Sequence, residues 1–172
     1  SDLLIDEYTL FYLKWIDPIK NSLQKESIDH GNWQAIQMTP AWYSWQGYAF
    51  ETVCYKHILK IKRALDLTAV SFAGSWRYVP KKNSKNKGAQ IDLLFDRMDD
   101  AISLCEIKYT EDPFIIDKAY AEVLKNKMEV FREQTRSKKQ LFISFVSVNG
   151  LKENAYSKEL INALVTLEDF FK

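Results

Sequence analysis

A chain of 172 residues, 47% apolar and 14% aromatic, carries enough apolar material for one packed domain rather than several. Its 24 basic and 23 acidic residues nearly cancel, which excludes an acidic disordered tail or a polycation and leaves any nucleic-acid contact to local patches. No apolar run approaches the ~20 residues that span a bilayer, no signal-peptide pattern opens the chain, and Cys54 and Cys105 lack CxxC spacing; these features point to a cytoplasmic protein with no membrane partner, disulfide framework or structural zinc.

The chain opens without methionine on Tyr8, Phe11, Tyr12 and Trp15, and four of its five tryptophans (Trp15, Trp33, Trp42, Trp45) precede position 46. Residues 1–44 are expected to form a helical, aromatic-rich arm, its rings suited more to packing than to base stacking, that links to a missing upstream segment. Leu10, Phe11, Leu13 and Trp15 predict a helix over 8–16 stopped by Asp17-Pro18, with a second helix over 18–25.

From 45 to 65, Phe50, Val53, Cys54, His57, Ile58, Ile61, Ala64 and Leu65 follow the spacing of one helical face. Residues 69–78, β-branched and aromatic around a glycine, predict a strand, and 81–87 a basic loop. Strands over 91–95 and 101–109 flank a turn at 97–100 and form a hairpin. Helical periodicity returns over 116–136, 141–148 is a nearly continuous apolar strand, and 157–171 ends the chain as an amphipathic helix. The fold class expected is α/β (α+β), a mixed central sheet flanked by helices within residues 45–172.

Side chains alternate along a strand, so Glu106 and Lys108 share a face. A hairpin that sets Asp96 opposite Ile102 also sets Asp92 opposite Glu106. Two acids and a lysine then converge, and opposed carboxylates call for a positive partner. Mg²⁺ or Mn²⁺ suits hard oxygen ligands and leaves positions for water and a phosphate oxygen, which is the chemistry of phosphodiester hydrolysis. Glu51, one residue past Phe50 at the edge of the helical stripe, can look toward the same place. Glu106 and Lys108 alone would be an ordinary pair on a solvated strand; Asp92 and Glu51 turn the balance.

Asp92 followed by Glu106-Ile107-Lys108, with Glu51 in the preceding helix, resembles the PD-(D/E)XK nuclease superfamily, with Ile91 where the naming proline would stand. More closely, Trp45-Gln46-Gly47-Tyr48-Ala49-Phe50-Glu51, Gly88-Ala89-Gln90-Ile91-Asp92-Leu93-Leu94 and Leu104-Cys105-Glu106-Ile107-Lys108-Tyr109 resemble the C-terminal domain of archaeal-type AAA ATPases, over roughly residues 5 to 155. The resemblance implies a three-layer restriction-endonuclease-like core and metal ligands Asp92 and Glu106 with Glu51 as accessory acid. It also implies a catalytic Lys108, DNA as substrate, and an ATPase domain upstream in the same full-length chain. No G-x-x-x-x-G-K-[ST] occurs in these residues, so no ATP site of that kind is expected here. The alternative is an inactive nucleic-acid-binding, regulatory or protein-interaction domain serving that ATPase.

Arg77, Lys81, Lys82, Lys85 and Lys87 lead into the strand bearing Asp92 and could grip phosphates, with Gln90 beside them; solubility would equally explain a basic loop. Lys127 falls in the middle of the apolar face formed by Ile116, Tyr120, Val123, Val130 and Phe131. It is expected to pair with an acid of a neighbouring element or to snorkel, with a supporting role beside the carboxylates as the alternative. His57, within its stripe, is expected to be a hydrogen-bonded core residue.

Overall fold

The computed structural model describes residues 6–20, 31–82 and 87–172, apart from the side chains of Gly31 and Asn32. Contacts divide the chain into two units, Ser1–Ala49 and Phe50–Lys172. That boundary and the expected one at 44/45 both fall inside a single helix, Pro40–Lys56.

In the first unit, α1 (Glu7–Phe11) begins at Asp6, whose carboxylate accepts the Thr9 amide at 2.9 Å. Asp17-Pro18 does not stop the coil where expected. A π-helical turn over Tyr12–Ile16 leads into a 3₁₀ turn over Asp17–Ile19, because proline is tolerated in a first turn whose N–H groups lack partners anyway. Most of the expected helix over 18–25 lies outside the described residues. After α2 (Gly31–Gln37) comes α3 (Pro40–Lys56). Trp42, buried, has the rings of Trp15, Trp45 and Trp33 at 5.0, 5.2 and 5.4 Å, mostly edge-on or tilted as aromatic quadrupoles prefer.

In the second unit, the end of α3 is followed by α4 (Ile58–Ala64). The single helix expected over 45–65 is broken at His57. Its amide is shared by the Val53 and Cys54 carbonyls, and Lys60 N–H reaches the His57 carbonyl only three residues back. Such a local tightening shifts the phase too little to disturb the apolar stripe, so periodicity cannot reveal it. His57 itself is exposed, its ring 6.0 Å from that of Phe170, and is not the core residue expected.

Five strands follow: β1 (Val70–Tyr78), β2 (Ala89–Arg97), β3 (Ala101–Lys108), β4 (Gln140–Ser147) and β5 (Ile161–Thr166), adjacent in that order. The first three are antiparallel and the last two run parallel to β3. The result is an α+β fold with a mixed five-stranded sheet. Helix α5 (Lys118–Thr135), capped by Asp117, makes the crossover from β3 to β4 that parallel pairing requires. Each face of β3 meets helical residues: Cys105 and Ile107 pack with Phe50, Cys54 and Ile61, whereas Ile102 and Leu104 pack with Phe131.

The expected terminal helix over 157–171 is a correction. Helix α6 covers only Ala155–Leu160; β5 follows, then a 3₁₀ turn over Leu167–Phe171. Leu160, Ile161, Leu164 and Val165 satisfy helical spacing, but pairing with β4 buries Val165 completely and gives the Ile143 amide a partner in the Asn162 side chain. Tertiary pairing overrides local pattern here. Among the described residues, no helix is long and apolar enough to cross a membrane.

Candidate active site

The hairpin has the expected register from Asp96 opposite Ile102 to Leu93 opposite Cys105, where the β2–β3 ladder ends one step short of the expected Asp92–Glu106 pair. On the other side of β2 the register slips. Gly74 pairs with Leu94 and Trp76 with Ile91, so Ser75 alone faces Asp92 and Leu93. Such a bulge bends the strand and re-aims its side chains. The apolar neighbours record the change of face: Ile91 and Leu94 join the cluster against α5, while Leu93 and Phe95 join the opposite one.

The bend lets the Asp92 carboxylate reach the main chain of β3, where Oδ2 accepts the Ile107 amide at 3.1 Å. Tyr55 of α3 holds the same point, its hydroxyl donating to the Asp92 carbonyl. Asp92 is 6% exposed and Glu106 4%. Burial, then the neighbouring Glu106, pushes the Asp92 pKa up, against the Ile107 amide that favours the anion.

Glu106 points toward α5. Tyr120 donates its hydroxyl to Oε1 at 2.6 Å, Lys108 lies 3.0 Å from the same oxygen, and the Lys127 ammonium donates to Oε2 at 2.5 Å. Burial alone would raise the Glu106 pKa, but Lys108 and Lys127 with these hydrogen bonds outweigh it and hold it below the usual value. Burial likewise opposes the charge on Lys108, and Glu106 overrides it, so the Lys108 pKa is raised. The half-buried Glu51 of α3 is pushed up by burial, then by Asp92, with Lys108 opposing.

Asp92, Glu106, Lys108 and Glu51 are thus brought within electrostatic reach of one another. Lys127 meets an acid of a neighbouring element, and that acid is Glu106, so the structural and supporting roles weighed for it coincide. Neither Tyr55 nor Tyr120 is among the site residues expected from sequence. Tyr120 stands seven residues before Lys127, two helical turns along one stripe, and that spacing is the signal that could have found it. Arg77 is directly opposite Gln90, both exposed, and Lys81, Lys82 and Lys87 are exposed beyond the end of β1. That end of the sheet is also where β3 finishes at Lys108. Lys85 lies outside the described residues.

Three carboxylates (Glu51, Asp92, Glu106) meet two ammonium groups (Lys108, Lys127), leaving one negative charge over when all are ionised. Among the described residues, no group of three or more His, Cys, Asp or Glu side chains is gathered closely enough to hold a metal ion. The donor chemistry nevertheless suits a hard divalent cation: every acidic donor is a carboxylate oxygen, and each such oxygen offers two lone-pair positions, so the partners of Glu106 leave it further accepting capacity. Comparison with protein-family models, curated proteins and solved structures finds nothing that matches the chain.

Proposed function

We propose that the second unit is a nuclease-like domain of the PD-(D/E)XK kind, with a three-layer restriction-endonuclease-like core, that hydrolyses phosphodiester bonds in DNA. In this proposal the first unit is the aromatic-rich arm leading to an ATPase domain of the same full-length, cytoplasmic protein. The observation that carries the reading is the convergence of two buried acids on adjacent strands, Asp92 and Glu106, with Lys108 3.0 Å from Glu106.

Asp92 and Glu106, with Glu51 as the third acid, would hold Mg²⁺ or Mn²⁺. The bound ion would lower the pKa of water and offset charge developing on phosphorus. Glu106 keeps Lys108 protonated, so Lys108 acts as a donor that orients water or a phosphate oxygen, not as a base. Lys108 is 34% exposed, enough to meet a substrate. Arg77, Lys81, Lys82, Lys85 and Lys87, with Gln90, would contact the DNA backbone.

Plasmid and linear DNA incubated with Mn²⁺ and the wild-type protein, Glu106→Ala or Lys108→Ala test the proposal. Cleavage by the wild type alone is expected; equal cleavage by all three proteins rejects it. The closed pairing of Glu106 with Lys127, Lys108 and Tyr120 favours a second possibility, an inactive nucleic-acid-binding, regulatory or protein-interaction domain that retains the acids for structure. Metal binding that depends on Asp92 and Glu106, followed by calorimetry, separates the two.

A further inference from the structure

Lys127 occupies a place where α5 otherwise turns apolar side chains inward: Leu124, Val130 and Phe131 are buried around it. Its stem borders a small, mainly apolar gap between α5 and the sheet, lined by Ile91, Leu104, Leu124, Met128 and Ile143. The ammonium emerges from that side at 2.5 Å from Glu106 Oε2, and the lysine side chain is only 17% exposed. Glu106 therefore faces two ammonium groups. Lys108 stands at the strand end, its side chain 34% exposed; Lys127, half as exposed, approaches from the packed side.

Resting on the metal-site reading above, we infer that Lys127 is a tethered counter-ion that competes with a divalent metal for Glu106. In the metal-free protein its charge, together with that of Lys108, neutralises a carboxylate buried beside Asp92. When a dication arrives, the same charge repels it, and the metal must share Glu106 with the Lys127 ammonium. Lys127 thereby sets the metal concentration at which the site fills. A full charge within about 4–6 Å changes the ionisation of a neighbour by about ten- to a thousandfold, and solvent at the mouth of the site keeps the effect at the lower end.

The test is calorimetric titration of Mn²⁺ into metal-free wild-type protein, Lys127→Met, Lys127→Gln, Lys127→Arg and Glu106→Gln, with thermal melts of each. Methionine keeps the apolar stem and removes the charge; glutamine removes the charge and keeps a hydrogen-bond donor. Lys127→Met and Lys127→Gln are expected to bind Mn²⁺ about tenfold more tightly than wild type, Lys127→Arg about as weakly, and Glu106→Gln not measurably. Wild-type binding that is lost in Glu106→Gln but unchanged or weakened in the folded neutral Lys127 variants overturns the inference and leaves the metal site standing. No binding by wild type or any Lys127 variant overturns both.

Discussion

Two acids assigned the same task are expected to affect stability in opposite directions, and the contrast is a direct test of the electrostatics. In Asp92→Asn the amide oxygen can still accept the Ile107 amide, while the repulsion from Glu106 and the cost of burying an anion disappear. Opposed like charges on paired strands cost up to about 1 kcal/mol, so a gain on the order of 1 kcal/mol is expected. In Glu106→Gln two ammonium groups lose their counter-charge. Breaking a buried pair costs about 3–5 kcal/mol; the partial exposure of Lys108 and the remaining amide acceptor reduce this to about 2 kcal/mol. For a chain of this size 1 kcal/mol moves Tm by about 2–4 °C, so Asp92→Asn should melt about 2–4 °C above wild type and Glu106→Gln about 4–8 °C below.

The pH dependence carries the same signs. The raised Asp92 pKa means the wild type loses stability as pH rises from the unfolded aspartate value through the folded one, so the advantage of Asp92→Asn grows across that window and vanishes below it. The lowered Glu106 pKa gives stability that is present above the unfolded glutamate value and is lost as pH falls through the folded one. Far-UV circular dichroism in chelator is the assay of choice, because four of the five tryptophans lie in Ser1–Ala49 and fluorescence would report mainly that unit. A destabilised Asp92→Asn or an unaffected Glu106→Gln would refute the charge balance described above.

Cys54 and Cys105 are buried, and burial pushes the Cys54 pKa up to about 12 and that of Cys105 higher still, so a thiol reagent should label neither in the native protein and both in urea. Gly150 has φ +78°, and an added methyl would meet nothing closer than 3.7 Å, so Gly150→Ala should cost about 1 kcal/mol by backbone strain alone, read as a lowered urea midpoint. Asp169, held down to about pKa 2 by Lys172, the Thr166 amide and the Thr166 hydroxyl, contributes stability present above the unfolded aspartate value and lost as pH falls toward 2. Asp169→Asn should therefore melt below wild type near neutrality, and the difference should close across that acidic window in a series of melts.

The elements that could be read from sequence are those whose signal is local and repeated. The amphipathic stripe of 116–136, the apolar run of 141–148 and the hairpin around 97–100 declare themselves through period and turn chemistry, and a hairpin turn sets its own register. That register holds as far as Leu93 opposite Cys105, one step short of Asp92 and Glu106. What the chain could not declare locally depends on partners far along it. β5 exists because β4 offers a parallel edge to Ile161–Thr166, a stretch whose own spacing suits a helix equally well. The bulge that turns Asp92 into the sheet needs β1 beside β2, and Tyr55 of α3 to hold it. The threefold capture of Glu106 needs the crossover that lays α5 over β3, since Tyr120, Lys127 and Lys108 reach one carboxylate only when two separate elements are packed together. Periodicity says which face of an element is buried; only packing says against what, and the charge state of a buried carboxylate is decided by what it meets there.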